Sequence, residues 1–365
     1  MTVQLSVAIM HHPSRADRIG ELVRSCAPLA ARVVTDPDPG GPPSPLRTAK
    51  KAWAAIEPGA THHLVLQDDI HLMPGFGHQL PQAVAAQPSA ALTLYVNWHS
   101  TPNSYFVRRA VESGSAWAPL FPGFVPTLGL VLPVDEARAL AGYLETVPDD
   151  VRHDDRAIAT FVADRAIPVL AAVPHLLEHG TLSSVAGNEL DGERHAAVFT
   201  DTSLPSGYWE TSSSVLGELA DRAAHRRSGD FAVEFHNSET RLRFARPGAG
   251  EHIWHPFGWY WHDWCDLVGV DRDDIAGTCP LPTRLGMEIW AAGYLLGADT
   301  ANPRAERGVL RADLLKVAFE SWLKCGLLPE DQASLTRLSA RHLANLGVAA
   351  VAQGNVARER NGILS

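Results

Sequence analysis

The stretch HHLVLQDDI, residues 62–70, is a short apolar run that ends in two acids, and it decides the fold class. Leu64, Val65 and Leu66 in succession suit a strand buried on both faces, as inside a parallel sheet. Ligands of such sheets bind beyond the carboxyl ends of the strands. Asp68 and Asp69 stand at such an end. Side chains alternate along a strand, so Gln67 and Asp69 are expected on one face and Asp68 on the other. One carboxylate can then hold Mg²⁺ or Mn²⁺, cations that take few protein carboxylates plus phosphate oxygens and water. The competing reading is an acidic pair that only caps the turn before Pro74-Gly75.

Outward from this stretch, strands alternate with helices. Val3, Leu5, Val7 and Ile9 alternate with smaller or polar residues and predict a first strand. Ser14 and Asp17 form an S-x-x-D start signal, and Ile19, Leu22, Val23 and Cys26 then share a helix face. RVVT from Arg32 predicts a second strand. Residues 36–45 hold five prolines and two glycines, which demands a loop. Ser44-Pro45 opens a helix whose buried face carries Leu46, Ala49, Trp53 and Ile56. ALTLYVN, TLGLVLP and IPVLAAVP predict three more strands, with helices starting near Pro74, Asp135 and Asp154. The pattern implies a largely parallel sheet covered on both faces.

From about Pro205 the pattern changes. FAVEF and TRLRFA flank HNSE as a β-hairpin, the aromatic run HIWHPFGWYWHDWC follows, and the remainder is helical. Two domains are expected, 1–204 and 205–365, the second mainly helical, with a frayed tail from Asn355. The aromatic run spaces His252, His255, His262 and Cys265 as H-x₂-H and H-x₂-C, which fits no zinc pattern. A packed aromatic core is the plain reading, and a platform for an acceptor or a subunit interface in a homo-oligomer is the functional one.

Composition narrows the functions. A net charge of −10 disfavours sequence-blind nucleic-acid binding and polybasic docking on anionic lipid. No stretch approaches the ~20 apolar residues of a membrane span. The apolar start lacks a basic leader, and four cysteines without a CxxC pair suit reduced thiols, so a soluble, cytoplasmic protein is expected. The first strand-to-helix turn, MHHPSRADR, lacks the glycines of a dinucleotide fold, and no GxxxxGK[ST] loop exists. Two further motifs carry chemistry. His153-Asp154-Asp155 opens a helix, where acids serve either as caps or as a general base for an acceptor hydroxyl. His179 precedes a Gly- and Ser-rich loop and is a candidate metal or diphosphate ligand, though one of 17 histidines.

Taken in order, the first strand, a second strand ending in Asp36, QDDI, TLGLVLP, HDDRAIATF and PHLLEHGTLSS resemble the motif set of GT-A glycosyltransferases over about residues 3–190. The flavour is that of the bacterial lipopolysaccharide-type galactosyltransferases whose strand end reads Glu-Asp-Asp; Gln67 stands where that group has Glu. The resemblance implies a GT-A α/β domain that moves a sugar from a nucleotide-diphosphate sugar, with UDP favoured and Mn²⁺ or Mg²⁺ as cofactor. The acceptor would be a small molecule, a glycan or a peptide. It makes Asp69 the metal-binding acid, completed by His179. It puts Asp68 and Gln67 on the donor's ribose or sugar, Asp36 on the nucleoside, and His11, His12 and Arg15 near base and phosphates. Lys50 or Lys51 would reach the diphosphate. Asp154 or Asp155 would be the catalytic acid near the acceptor, with Asp155 preferred because Asp154 is better placed to cap. The rival functions are a metal-dependent phosphoesterase or nucleotide-sugar hydrolase, and a non-enzymatic carbohydrate-binding protein.

Overall fold

The computed structural model describes residues 2–100, 103–120, 124–151, 153–180, 194–210, 231–244, 259–262, 265, 271–300 and 309–361. Its strands are β1 (Leu5–His11), β2 (Ala31–Thr35), β3 (His62–Gln67), β4 (Ile70–Leu72), β5 (Ala91–Thr93), β6 (Trp117–Pro119), β7 (Gly129–Pro133), β8 (Val169–Ala172), β9 (Leu177–His179), β10 (Phe231–His236), β11 (Glu239–Phe244) and β12 (Trp259–Tyr260). Its helices are α1 (Ala16–Ser25), α2 (Pro45–Ala54), α3 (Phe76–Ala86), α4 (Asn103–Ser113), α5 (Val134–Thr146), α6 (Asp154–Asp164), α7 (Arg272–Gly277), α8 (Arg284–Thr300), α9 (Val309–Gly326), α10 (Pro329–Ser334) and α11 (Arg337–Asn361). Two units result: Met1–Asn97 with Leu120–Thr211, and Trp98–Pro119 with Ser212–Ser365. Among the described residues no helix is long and apolar enough to cross a membrane.

The first unit is α/β. Six of its strands stand in the order β2-β1-β3-β7-β5-β8. β1 pairs in parallel with β2 and β3, and β5 with β8, while β7 runs against both β3 and β5. The sheet is therefore mostly parallel with one reversed strand. Both faces of β1 are buried from Ser6 onward, not one face as strict alternation suggests. Ala8 and Met10 join Val65, Leu130 and Leu132 against Trp53 of α2, Leu140 of α5 and Phe161 of α6. Removing that much apolar side-chain surface from water, at about 25 cal/mol per Å², is what holds the layers together.

Three local expectations need correction. Ser14 does not cap a helix; His12 caps a short 3₁₀ turn at Pro13–Arg15 by accepting from the Ser14 N–H, and α1 begins after it. ALTLYVN keeps only Ala91–Thr93 as a ladder strand; the Leu94 N–H still donates to the Gly129 carbonyl, but the carbonyls of Leu94 and Val96 accept from the N–H groups of Leu176 and Ala197. The chain past Asn355 is not frayed at once: α11 continues to Asn361.

Register positions the site. Met10 pairs with Gln67 and His11 with Thr35, so the carboxyl ends of β1, β2 and β3 lie level. The Asp36 N–H donates to the His11 carbonyl at 2.9 Å. Beyond β3 the chain turns into β4, whose Ile70 pairs with His179 of antiparallel β9. This small two-stranded sheet carries His179 to the acids, and the Gly180 N–H donates to the Asp69 carbonyl at 2.7 Å. A Cβ on residue 180 would stand 3.0 Å from that oxygen, which favours glycine at so close an approach.

The second unit is mainly helical. α8 and α11 pack so closely at Gly354 that a Cβ there would overlap the Tyr294 carbonyl. β10 and β11 form the expected hairpin, turning at Asn237 and Ser238 with φ of 54° and 56°. α4 belongs to this unit although it lies well before residue 205. Tyr105 donates to Asp299 Oδ2 at 3.1 Å, and Glu112 Oε1 accepts from Arg311 and Asn355 at 2.5 and 2.8 Å. Of the aromatic run, Trp261 and Cys265 are buried and His262 is exposed. His252 and His255 lie outside the described residues.

Candidate functional site

A cavity of about 690 Å³ opens in the first unit at the level ends of β1, β2 and β3. His11, His12, Arg15, Asp36, Gln67, Asp68, Asp69, Asp154, Asp155 and His179, each singled out in the sequence, all line it. Residues far apart in the chain thus meet because three strand ends, the β4–β9 pair and the start of α6 converge.

Asp68 is held on both oxygens. Its Oδ2 lies 3.0 Å from His11 Nδ1 and accepts from the His12 N–H at 2.8 Å, while Oδ1 accepts from Arg15 at 2.5 Å. Internal donors thus engage both oxygens, and Oδ1, with one donor, keeps an acceptor position for the expected contact to ribose or sugar. Strand alternation ends at Gln67, so Asp68 and Asp69 do not simply face apart. One Arg15 nitrogen reaches both, with Asp69 Oδ2 at 3.2 Å.

Asp69 is not saturated. Its Oδ1 is buried and has no hydrogen-bond partner. A buried carboxylate oxygen without a partner costs about 1–3 kcal/mol or more, and here it belongs to a residue that lines the cavity. His179 Nε2 lies 3.7 Å from Asp69 Oδ2. The Gly180 carbonyl, 2.6 Å from His179 Nδ1, can only accept, so Nδ1 carries the proton and donates it in a hydrogen bond. Burial lowers the His179 pKa against the raising effect of Asp69, which favours the neutral ring. Nε2 then carries a lone pair beside a carboxylate, the tautomer a metal ligand needs. Among the described residues no three His, Cys, Asp or Glu side chains form a metal cage. One carboxylate and one imidazole fit Mg²⁺ or Mn²⁺ completed by phosphate and water. The Ser-rich loop after Gly180 lies outside the described residues.

Asp36 is held by Arg47, whose Nε and Nη2 donate to its two oxygens at 2.8 and 3.0 Å. This forked bond keeps the Asp36 carboxyl below its ordinary pKa despite burial. Arg47 also donates to the Asp38 carbonyl and so fastens the proline-rich loop. Lys50, expected at the diphosphate, does not line the cavity. Its Nζ donates to the Val147 carbonyl at 2.7 Å and to Asp149 at 2.6 Å, which ties α2 to the end of α5. The cation that α2 does present to the cavity is Arg47. The signal for it was its place in the first helical turn after the loop that starts at Asp36. Arg156 and Arg194 also line the cavity and were not singled out.

The two acids of α6 differ. His153 stands at the N-cap position without a side-chain cap bond, and Asp154 is the first helical residue, so Asp154 is not the N-cap whose role made Asp155 the preferred base. Asp155 is exposed, and its Oδ1 accepts from the Arg156 N–H at 2.7 Å. Asp154 is 5% exposed, and burial, with Asp155 adding repulsion, pushes its pKa from 3.8 to about 7. A carboxyl poised near neutrality on a cavity wall suits proton transfer. No protein-family model matches this chain, and no curated protein matches it in sequence.

Proposed function

We propose that the first unit is a GT-A-type glycosyltransferase domain, which moves a sugar from a nucleotide-diphosphate sugar, UDP-linked by preference, to an acceptor hydroxyl. The observation that carries this reading is a single cavity at parallel strand ends. In it Asp69, with an unpartnered oxygen, faces His179, while Asp154 titrates near neutrality. Asp36 with Arg47 is the nucleoside end, and Arg15, Arg156 and Arg194 are the cations available to phosphates. Asp69 and His179 would hold Mn²⁺ or Mg²⁺. Such an ion supplies charge neutralisation of the leaving diphosphate. Asp154 takes the proton from the acceptor hydroxyl, which fits inversion at the sugar carbon.

Thermal unfolding with Mn²⁺ and each common UDP-, GDP-, TDP- and CDP-sugar tests the donor assignment. A ligand bound only by the native state raises Tm, by about 2.7 kcal/mol of stability at a hundredfold excess over Kd. One nucleotide series with Mn²⁺ should stand out, followed by slow hydrolysis of that donor. A flat response to every donor would remove the reading. Rapid hydrolysis with no transfer to any acceptor would favour a nucleotide-sugar hydrolase.

A further inference from the structure

Arg15 sits where it must compete with a metal ion. Its guanidinium donates to Asp68 Oδ1 at 2.5 Å and lies 3.2 Å from Asp69 Oδ2, the oxygen that faces His179. All three side chains are nine-tenths or so buried, with Arg15 at 11%, Asp68 at 5% and Asp69 at 9% exposure. Water screens little in such a place, so a fixed positive charge one contact away opposes a second cation strongly. Asp68 cannot be the acid that yields to the metal, because His11, the His12 N–H and Arg15 already hold it. Asp69 has one partnered and one unpartnered oxygen, so it is the acid left half-committed.

Arg15 also lines the same cavity as the acids. It is carried by the short turn Pro13–Arg15, outside the sheet, so its side chain is not tied into a strand ladder. Guanidinium groups bind phosphate oxygens in the same forked fashion as carboxylates.

We infer that Arg15 is a resident counter-cation that blocks Asp69 until a nucleoside diphosphate draws it away, so that metal loading depends on the diphosphate. This rests on the reading of the cavity as a nucleotide-sugar site. The exchange is a matter of charge balance. Without ligand, Arg15 neutralises the two acids. With a diphosphate present, Arg15 answers the phosphate charge and Asp69 is free to bind Mn²⁺. Metal and diphosphate then help each other bind, and linkage makes the effect equal in both directions.

Titration of the full-length chain with Mn²⁺, with free Mn²⁺ read by electron paramagnetic resonance, tests this with and without UDP. Wild type should bind Mn²⁺ weakly alone, and about tenfold or more tightly with UDP. Arg15→Gln should bind Mn²⁺ alone about tenfold more tightly than wild type, and UDP should tighten it by a smaller factor than in wild type. Arg15→Lys, which keeps the charge, should still exclude Mn²⁺ when UDP is absent. This second variant serves if the Gln variant does not fold, as circular dichroism will tell. Asp69→Asn should abolish the tight Mn²⁺ site in every background. Equal or weaker Mn²⁺ binding by Arg15→Gln without UDP overturns the inference and leaves the donor-site reading standing, as does Mn²⁺ binding by Arg15→Lys as tight as that of the Gln variant. Absence of any Mn²⁺ binding to all variants, with or without UDP, overturns the donor-site reading and the inference with it.

Discussion

Both units bury charge, and they do it in opposite ways. In the helical unit Glu112 is 2% exposed and its Oε1 accepts from both Arg311 and Asn355, while Asp299 Oδ2 accepts from Tyr105 and lies 3.2 Å from Arg109 Nε. The carboxylates are held from more than one side, though Arg109 Nε and Asn355 Oδ1 have no hydrogen-bond partner among the described residues. In the α/β unit Asp69 keeps a buried oxygen without a partner, and Asp154 is pushed toward neutrality by burial and its neighbour. Closed networks rigidify a core; open ones cost stability and persist where a ligand completes them. Arg108 shows that the helical unit is not free of such cost. Its Nε and Nη2 have no hydrogen-bond partner, its charge rests on the Trp322 ring at 4.7 Å, and burial lowers its pKa to about 10. That face is packed by a cation–π contact, and the cavity that Trp322 lines is only about 10 Å³, so an orphaned atom alone does not mark a site. The cavity beside it does.

The widest gap between the two kinds of charge should appear when the closed network is cut. Glu112→Ala leaves Arg311 and Asn355 without their shared acceptor. Breaking a buried ion pair from one side costs about 3–5 kcal/mol, since the remaining charge stays desolvated. Urea unfolding should show that loss, whereas UDP affinity of the folded protein should stay within about twofold, as none of these residues lines the cavity. A loss under about 1 kcal/mol would mean the network is ornamental and the contrast false.

Cutting the open side should do the reverse. Asp154→Asn should lower turnover by about 10²–10⁴-fold and make the fold more stable at neutral pH. The folded pKa, near 7, lies above the ordinary 3.8. The folded state therefore keeps a proton that the unfolded chain has lost. The contribution of Asp154 to stability is greatest below about pH 4, falls as pH rises to about 7, and is flat beyond. Three pKa units correspond to at most about 4 kcal/mol. Asn removes this slope, so the gain over wild type should be absent near pH 4 and full near pH 8. Wild-type turnover should rise through about pH 7 and level off as the base ionises. Asp155→Asn should keep turnover and the stability slope, and move both profiles only modestly to lower pH, because it removes the repulsion that adds to burial in raising the Asp154 pKa. If Asp155→Asn is the variant that loses turnover, the exposed acid is the base and burial of Asp154 serves the fold.

How much of this was legible follows from where the chemistry lies. HHLVLQDDI reads directly as a buried strand with acids at its end, because an apolar run and a strand-end carboxylate are local signals. The paired helix starts at Pro45 and Asp154 were local too. Two things were not. α4 is buried along its whole length, arginines and glutamate included, so its polar residues do not mark a solvent face; only its partners Asp299 and Arg311, about 200 residues later, make it a core helix. The engagement of both Asp68 oxygens depends on register between β1 and β3, which no spacing reveals. The order of the motifs exposed the candidate site, but the division of labour between adjacent acids needed the hydrogen bonds.

The smallest test sets the same contrast within one helix. Lys50 and Arg47 lie three residues apart on α2, and both were eligible for a phosphate by charge alone. The structure gives them different duties. Lys50 Nζ is spent on the Val147 carbonyl and Asp149, away from the cavity lining, while Arg47 holds Asp36 and the proline-rich loop on the cavity wall. Lys50→Met keeps most of the aliphatic stem and removes the donor. It should cost about 1 kcal/mol through the lost carbonyl bond, and leave UDP affinity unchanged. Arg47→Met frees Asp36 and the loop it fastens. It should weaken UDP binding by about tenfold, the worth of one charge-assisted hydrogen bond. Isothermal titration with UDP and Mn²⁺ on both variants compares them directly. If Lys50→Met weakens UDP as much as Arg47→Met does, then α2 acts on the nucleotide as a whole, through its position, and the division between cavity and scaffold does not run between these two residues.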